Sequence, residues 1–166
     1  MESHNVKTDI TWKQAKDMGL KIVKSRWVDG WKPLPDEPHG VRSRCVAVAM
    51  EINNGPRDNV FSGTPPLVGH RIIVSLAATK RKGQKFGRRL LARYDVSVAF
   101  FHAKSSGKIA VIPPKDLQSE YLWYLNKAMN GTREASKCWS QEIIGTLKPV
   151  GFRTIETVPG LSLIHI

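Results

Sequence analysis

From Thr11 to Lys24 the apolar residues Ala15, Met18 and Ile22 recur at helical spacing, which predicts a short amphipathic helix ahead of "SRWVDGW". The period then shortens. "RWVDGWK" and "VRSRCVAVAM" are strand-like, and the Pro- and Gly-rich "PLPDEPHG" between them continues neither, so the pair reads as a hairpin. Alternation along the second strand puts Arg42 and Arg44 on one face, followed there by Val46 and Val48. "FSGTPPLVGHRIIVSLAATKRK" predicts a helix from about Pro65 to Thr79, with Thr64 as N-cap, Pro65 at the first helical position and cations beyond its far end. "LLARYDVSVAFF" reads as a buried strand, and "KIAVIPP" and "YLWYLNKAM" as a strand pair. "EASKCWSQEIIGTL" sets Ala135, Trp139, Ile143 and Leu147 on one helical face. No internal repeat or low-complexity segment interrupts this order.

Composition adds a partner class to this outline. A chain of 166 residues with 41% hydrophobic content can bury one sizeable core. Its 26 Lys and Arg outweigh 14 Asp and Glu by +12, and such a charge attracts polyanions by releasing their counterions, which puts nucleic acid first among partners. A ribosomal, membrane-surface or merely solvated basic face gives the same number. The charge peaks in "KRKGQKFGRR", where Lys80, Arg81, Lys82, Lys85, Arg88 and Arg89 repel one another in an exposed loop. That loop is either solvated or a nucleic-acid contact. Cys45 and Cys138 form no ligand pattern with the five histidines and are too few for a disulfide framework, so a reducing compartment fits. No apolar stretch approaches membrane-spanning length and the first residues are polar, so the expectation is a soluble, intracellular protein.

One carboxylate stands out. Asp95 sits in "YDVSVAFFHA" among apolar, aromatic or small residues, and an isolated Asp ordinarily marks a strand end or a turn. Its surroundings give it another meaning. In order, "RWVDGWK…VRSRCVAVAM", "FSGTPPLVGHRIIVSLAATK", "RYDVSVAFFHAKSSGKIAVIPP" and "YLNKAMNGTREASKCW" resemble the blocks of Ty1/copia-type retrotransposon reverse transcriptases. Those enzymes, parts of a Pol polyprotein, read like K-W-V-F-K, R-L-V-A-K, L-D-V-K-N-A-F-L-H-G, V-Y-M-E-Q-P-P and L-Y-G-L-K-Q-A-P-R-A-W. The blocks keep order and compatible spacing over roughly residues 26 to 152.

The resemblance implies an α+β fold: the fingers and partial palm of a right-hand polymerase, an antiparallel sheet with packed helices, entered through a lead-in helix and linker over residues 1–25. It implies RNA-directed DNA polymerase chemistry, in which two Mg²⁺ or Mn²⁺ ions activate the primer hydroxyl and hold the incoming triphosphate. Asp95 would be the first metal-binding carboxylate, on a palm strand, and the main-chain carbonyl of Val96 a further ligand. Phe100, at the family's A-F position, would lie under the incoming sugar and leave no room for a 2′-hydroxyl, while ordinary core packing would account for one of Phe100 and Phe101. Arg42 and Arg44 would reach the triphosphate or template with forked guanidinium donors. Gly131 would allow close backbone approach, with Arg133 and Glu134 near the nucleotide. Implied partners are an RNA template, a DNA primer, their hybrid, deoxynucleoside triphosphates, and the integrase and ribonuclease H regions of the same polyprotein. The implied location is a cytoplasmic virus-like particle with a nuclear phase.

Departures from the family pattern narrow these expectations. Asn130, Glu134 and Ser136 replace the usual Tyr, Gln and Pro, and a carboxylate at 134 repels a triphosphate unless Arg133 or a metal offsets it. The Y-V-D-D block that carries the other two metal-binding carboxylates does not occur in the chain, so these 166 residues are expected to be inactive alone. The closing "LSLIHI" can be encoded by CTG TCT CTT ATA CAC ATC, the start of a transposase end sequence used in library adapters. Leu161 to Ile166 are accordingly expected to be adapter read-through and left out of fold reasoning. Two further readings stay open: a non-catalytic basic nucleic-acid-binding module, and the product of a decayed element.

Overall fold

A computed structural model describes residues 2–32, 39–49, 66–79, 91–155 and 162–164. Two compact units divide the chain, one built from Met1–Phe61 and Val98–Glu142, the other from Ser62–Ser97 and Ile143–Ile166.

The first unit centres on a four-stranded sheet. Strands β1 (Lys7–Ile10), β2 (Lys21–Val23), β5 (Ile109–Val111) and β6 (Leu122–Leu125) lie in the order β1-β6-β5-β2. β6 pairs antiparallel with both β1 and β5, but β2 runs parallel to β5, so the sheet is mixed rather than antiparallel throughout. The residues expected as a lead-in thus supply two of its strands. Helix α1 (Trp12–Asp17) connects them and is shorter than its periodicity predicts. Thr11 opens it with a capping box, its hydroxyl accepting from the Gln14 N–H at 3.2 Å and its own N–H donating to Gln14 Oε1 at 2.8 Å. Gly19, at φ +62°, then turns the chain away, and Ile22 belongs to β2. Three residues of helical spacing did not suffice where pairing with β5 was the stronger offer.

Strand alternation explains the core. Ile109 and Val111 join Val23, Ala47, Ala49, Trp123, Leu125 and Met129 on one side of the sheet, while Ala110 joins Ile10, Ala15 and Leu122 on the other. β5 is therefore buried on both faces, which is why "IAV" is continuously apolar. Each large side chain here contributes about 1.5–3 kcal/mol by leaving water.

The expected hairpin is present. β3 (Ser25–Trp31) pairs antiparallel with β4 (Val41–Ala47), placing Trp27 opposite Cys45, Val28 opposite Arg44 and Gly30 opposite Arg42. The far end of β4 is tied to the turn before α3 (Ala135–Leu147): the Ala47 N–H donates to the Asn130 carbonyl at 2.8 Å, and the Ala49 N–H to that of Gly131 at 3.4 Å. Ala135 is buried, and Trp139, Ile143 and Leu147 are half-buried, the last two between exposed neighbours, in keeping with the predicted stripe.

In the second unit, α2 (Leu67–Ala78) starts later than predicted, with Pro66 as N-cap and no side-chain cap; Thr64 and Pro65 lie outside the described residues. β7 (Phe152–Thr154) pairs antiparallel with β8 (Ser162–Ile164), so the segment set aside for its codons contributes a short strand. The strand expected from "LLARYDVSVAFF" is absent. Residues 91–96 adopt no regular structure, no described strand pairs with 91–97, and Tyr94 is 90% exposed. An apolar run becomes a strand only when a neighbour accepts its hydrogen bonds. No helix among the described residues is long and apolar enough to cross a membrane.

Candidate functional site

Just past Ser97 comes Val98, a β-branched residue in the left-handed region at φ 47° and ψ 42°. Such a conformation costs roughly 1–3 kcal/mol and persists only where surroundings enforce it. It leads into a 3-10 turn, Ala99–His102, closed by the Phe101 N–H donating to the Val98 carbonyl at 2.8 Å. The turn aims two aromatic rings in different directions. Phe100 packs against Ala103, Ala128 and Ala135 with Cys138 and Trp139, whereas Phe101 packs on the core that holds Val111 and Met129.

Both rings also border a cavity of about 470 Å³ lined by Trp27, Arg42, Ser43, Arg44, Cys45, Val98, Ala99, Phe101, Phe100 and Asn130. Side-chain alternation sends Arg42 and Arg44 to one face of the ribbon and Trp27, Ser43 and Cys45 to the other. The lining therefore draws on residues from both faces of the ribbon. Aromatic residues and two arginines around one cavity suit a ligand with a flat apolar part and an anionic part.

Three residues chosen from sequence, Arg42, Arg44 and Phe100, are thereby brought together. Gly131 has a left-handed φ of +83°, and a Cβ there would collide with the Ala47 carbonyl. Close backbone approach was expected at Gly131; the backbone it approaches is β4, one residue from the cavity-lining Asn130. Arg133 and Glu134 are partly buried at the start of α3, the Glu134 carbonyl accepting from the Cys138 N–H at 2.8 Å. Asp95 and Val96 are exposed and belong to the second unit, and Lys80, Arg81, Lys82, Lys85, Arg88 and Arg89 lie outside the described residues.

Sequence reading missed Trp27, Cys45 and Asn130 as cavity residues. Trp27 was visible only as a strand aromatic. Its indole Nε1–H donates to both carboxylate oxygens of Asp116, each at 3.0 Å, across 89 residues of chain. Burial pushes the Cys45 thiol up, a hydrogen bond with Ser25 opposes that, and the Asp116 charge adds to the rise. The raised thiol is a weaker nucleophile at neutral pH than an unperturbed one. Alkylation by iodoacetamide should proceed more slowly than for a free thiol at pH 7 and accelerate only above the ordinary thiol range; a fast reaction at pH 7 would contradict this environment.

The sequence over residues 11–164 matches the family model described as reverse transcriptase (RNA-dependent DNA polymerase). The chain belongs to the reverse transcriptase family. The resemblance to Ty1/copia-type enzymes is thus borne out, since the matched model is that of this type of reverse transcriptase. No curated protein and no solved structure matches the chain. Reverse transcriptases generally use Mg²⁺, a hard ion that takes about six oxygen ligands. Among the described residues of this reverse transcriptase, no three His, Cys, Asp or Glu side chains converge to hold a metal, and Asp95 with one main-chain carbonyl does not complete such a shell.

Proposed function

We propose that the chain is part of an RNA-directed DNA polymerase from the Pol polyprotein of a Ty1/copia-like retrotransposon, comprising fingers and the first part of the palm. The cavity beside β4 is its deoxynucleotide site. The observation that carries this reading is the convergence of Arg42, Arg44 and Phe100, from two distant family blocks, on one cavity.

Each residue has a physical task there. Arg42 and Arg44 meet the triphosphate, since a guanidinium offers several N–H donors and a charge that does not titrate. Phe100 presents a ring, held by packing on Ala103 and Ala135, where the sugar's 2′ position lies. The Gly131 turn and the neighbouring Arg133 and Glu134 flank the nucleotide. Asp95, three residues before Val98 in the chain, is the first carboxylate of the catalytic set, with the Val96 carbonyl beside it. The cations from Lys80 to Arg89 bind the template and primer backbone, and the +12 charge makes that binding salt-dependent. Integrase and ribonuclease H regions accompany the domain in the parent polyprotein, in a cytoplasmic particle.

Titrating the chain with a deoxynucleoside triphosphate tests the site. Arg42→Ala or Arg44→Ala should weaken binding about 10- to 100-fold, the scale of one hydrogen bond to a charged group. Phe100→Ala should narrow the preference for deoxy- over ribonucleotide about tenfold. Undiminished binding in both arginine variants would remove the cavity from consideration.

A further inference from the structure

The cavity contains a residue with no assigned task. Trp27 is 42% exposed, yet its indole is held, Nε1–H donating to both carboxylate oxygens of Asp116. An exposed indole usually samples several rotamers; one whose donor is committed to a carboxylate presents a fixed flat face. Asp116 is not part of the cavity lining. It follows β5 in a short 3-10 turn, Lys115–Leu117, and reaches the ribbon from outside. A second tie joins the same parts, the Ser25 hydroxyl donating to the Ile112 carbonyl at 2.6 Å.

Charge along the cavity is graded. Trp27 lies opposite Cys45, whose thiol responds to the Asp116 carboxylate, and Arg42 is three residues further along β4, about 10 Å at strand spacing. The lining near Trp27 is thus aromatic and beside a negative charge, and Arg42, which leaves the ribbon on the opposite face, brings a positive charge to the lining further along. A nucleotide fits this gradient in one direction, with its uncharged base at the Trp27 end and its phosphates at the Arg42 end. The opposite orientation would set phosphates beside Asp116.

We propose that Trp27 is the surface on which the base of the bound nucleotide stacks, and that Asp116 is the positioning residue that fixes the indole plane. This rests on the nucleotide reading above. Stacking is tolerant of base identity, because every base has a π-face, which suits a site that accepts each of the four nucleotides in turn.

Paired ligands separate this role from a structural one. Binding of a deoxynucleoside triphosphate and of inorganic tripolyphosphate, which has no base, is measured on the 166-residue chain. Trp27→Ala should weaken the nucleotide about tenfold and leave tripolyphosphate unchanged. Trp27→Phe keeps a stacking face and should retain most of the affinity. Asp116→Ala should weaken the nucleotide several-fold, and Asp116→Asn, which keeps an acceptor for the indole N–H, should restore it. Equal loss of both ligands in Trp27→Ala would overturn the proposal by making the residue structural. Unchanged nucleotide binding in Trp27→Ala, with loss in Arg42→Ala, would overturn it while sparing the nucleotide site. Failure of the unaltered chain to bind either ligand would overturn both.

Discussion

Primer extension by a polypeptide continued through a Y-V-D-D hairpin should fall to background when Asp95 becomes Asn, a loss of at least about 10³-fold, on the scale of removing a charge-stabilising group from phosphoryl transfer. The substitution is nearly isosteric, so lost charge rather than lost shape would be read. Asp95 is exposed in a stretch without regular structure, where Asn is well tolerated, and folding should therefore be unaffected. Elongation on an RNA template with a DNA primer is the measurement, with circular dichroism as the folding control. The 166-residue chain itself should show none if, as proposed, Asp95 is its single metal-binding carboxylate, because two-metal chemistry needs several. Extension by that chain, or by the Asn variant of the longer one, would show that other groups do the work assigned to Asp95.

Gly131→Ala should destabilise the first unit by about 3 kcal/mol, from two separable causes. A left-handed φ costs a residue with a Cβ roughly 1–2 kcal/mol, and forcing that atom onto the Ala47 carbonyl adds a comparable overpacking term. Relief requires parting Ala47 from Asn130, which gives up the main-chain hydrogen bond anchoring β4 beside the cavity. Gly19 is the internal control. Its φ is +62°, but a Cβ there meets nothing within 4 Å, so Gly19→Ala should cost only the first part. In urea denaturation the Gly131 variant should lose about 1 M or more in midpoint, and clearly more than the Gly19 variant. Equal losses would mean that the Ala47 contact relaxes freely. Nucleotide binding should weaken in Gly131→Ala as well, since Asn130 and β4 share the cavity wall.

Much of this architecture was legible because it rests on local pattern. The β3–β4 hairpin was marked by two strand-like runs around a loop that can continue neither, and α3 by apolar residues four apart from Ala135 to Leu147. Arg42, Arg44 and Phe100 were found through family blocks, whose order along the chain survives even where single positions diverge. The failures share a cause. The residues around Ile22 have helical spacing, yet they form a strand because β5 offers a parallel partner 88 residues away. Residues 91–96 have a strand's composition, yet no described strand pairs with them. Periodicity describes which faces of a segment are apolar; whether a partner stands there is a long-range fact.

The sequence alone therefore determined the family, the basic charge, the hairpin, the β5–β6 pair and the residue types available for chemistry. Tertiary structure decided which of those residues meet. Trp27, Arg42, Cys45, Phe100 and Asn130 border one cavity because β4 is anchored to the Asn130–Gly131 turn and Val98 turns the chain back in a left-handed conformation. The tie between Trp27 and Asp116 spans 89 residues and has no signature in either neighbourhood. Closing such distances depends on burial of the β5 and β6 side chains, a property of the packed core rather than of any short stretch of chain.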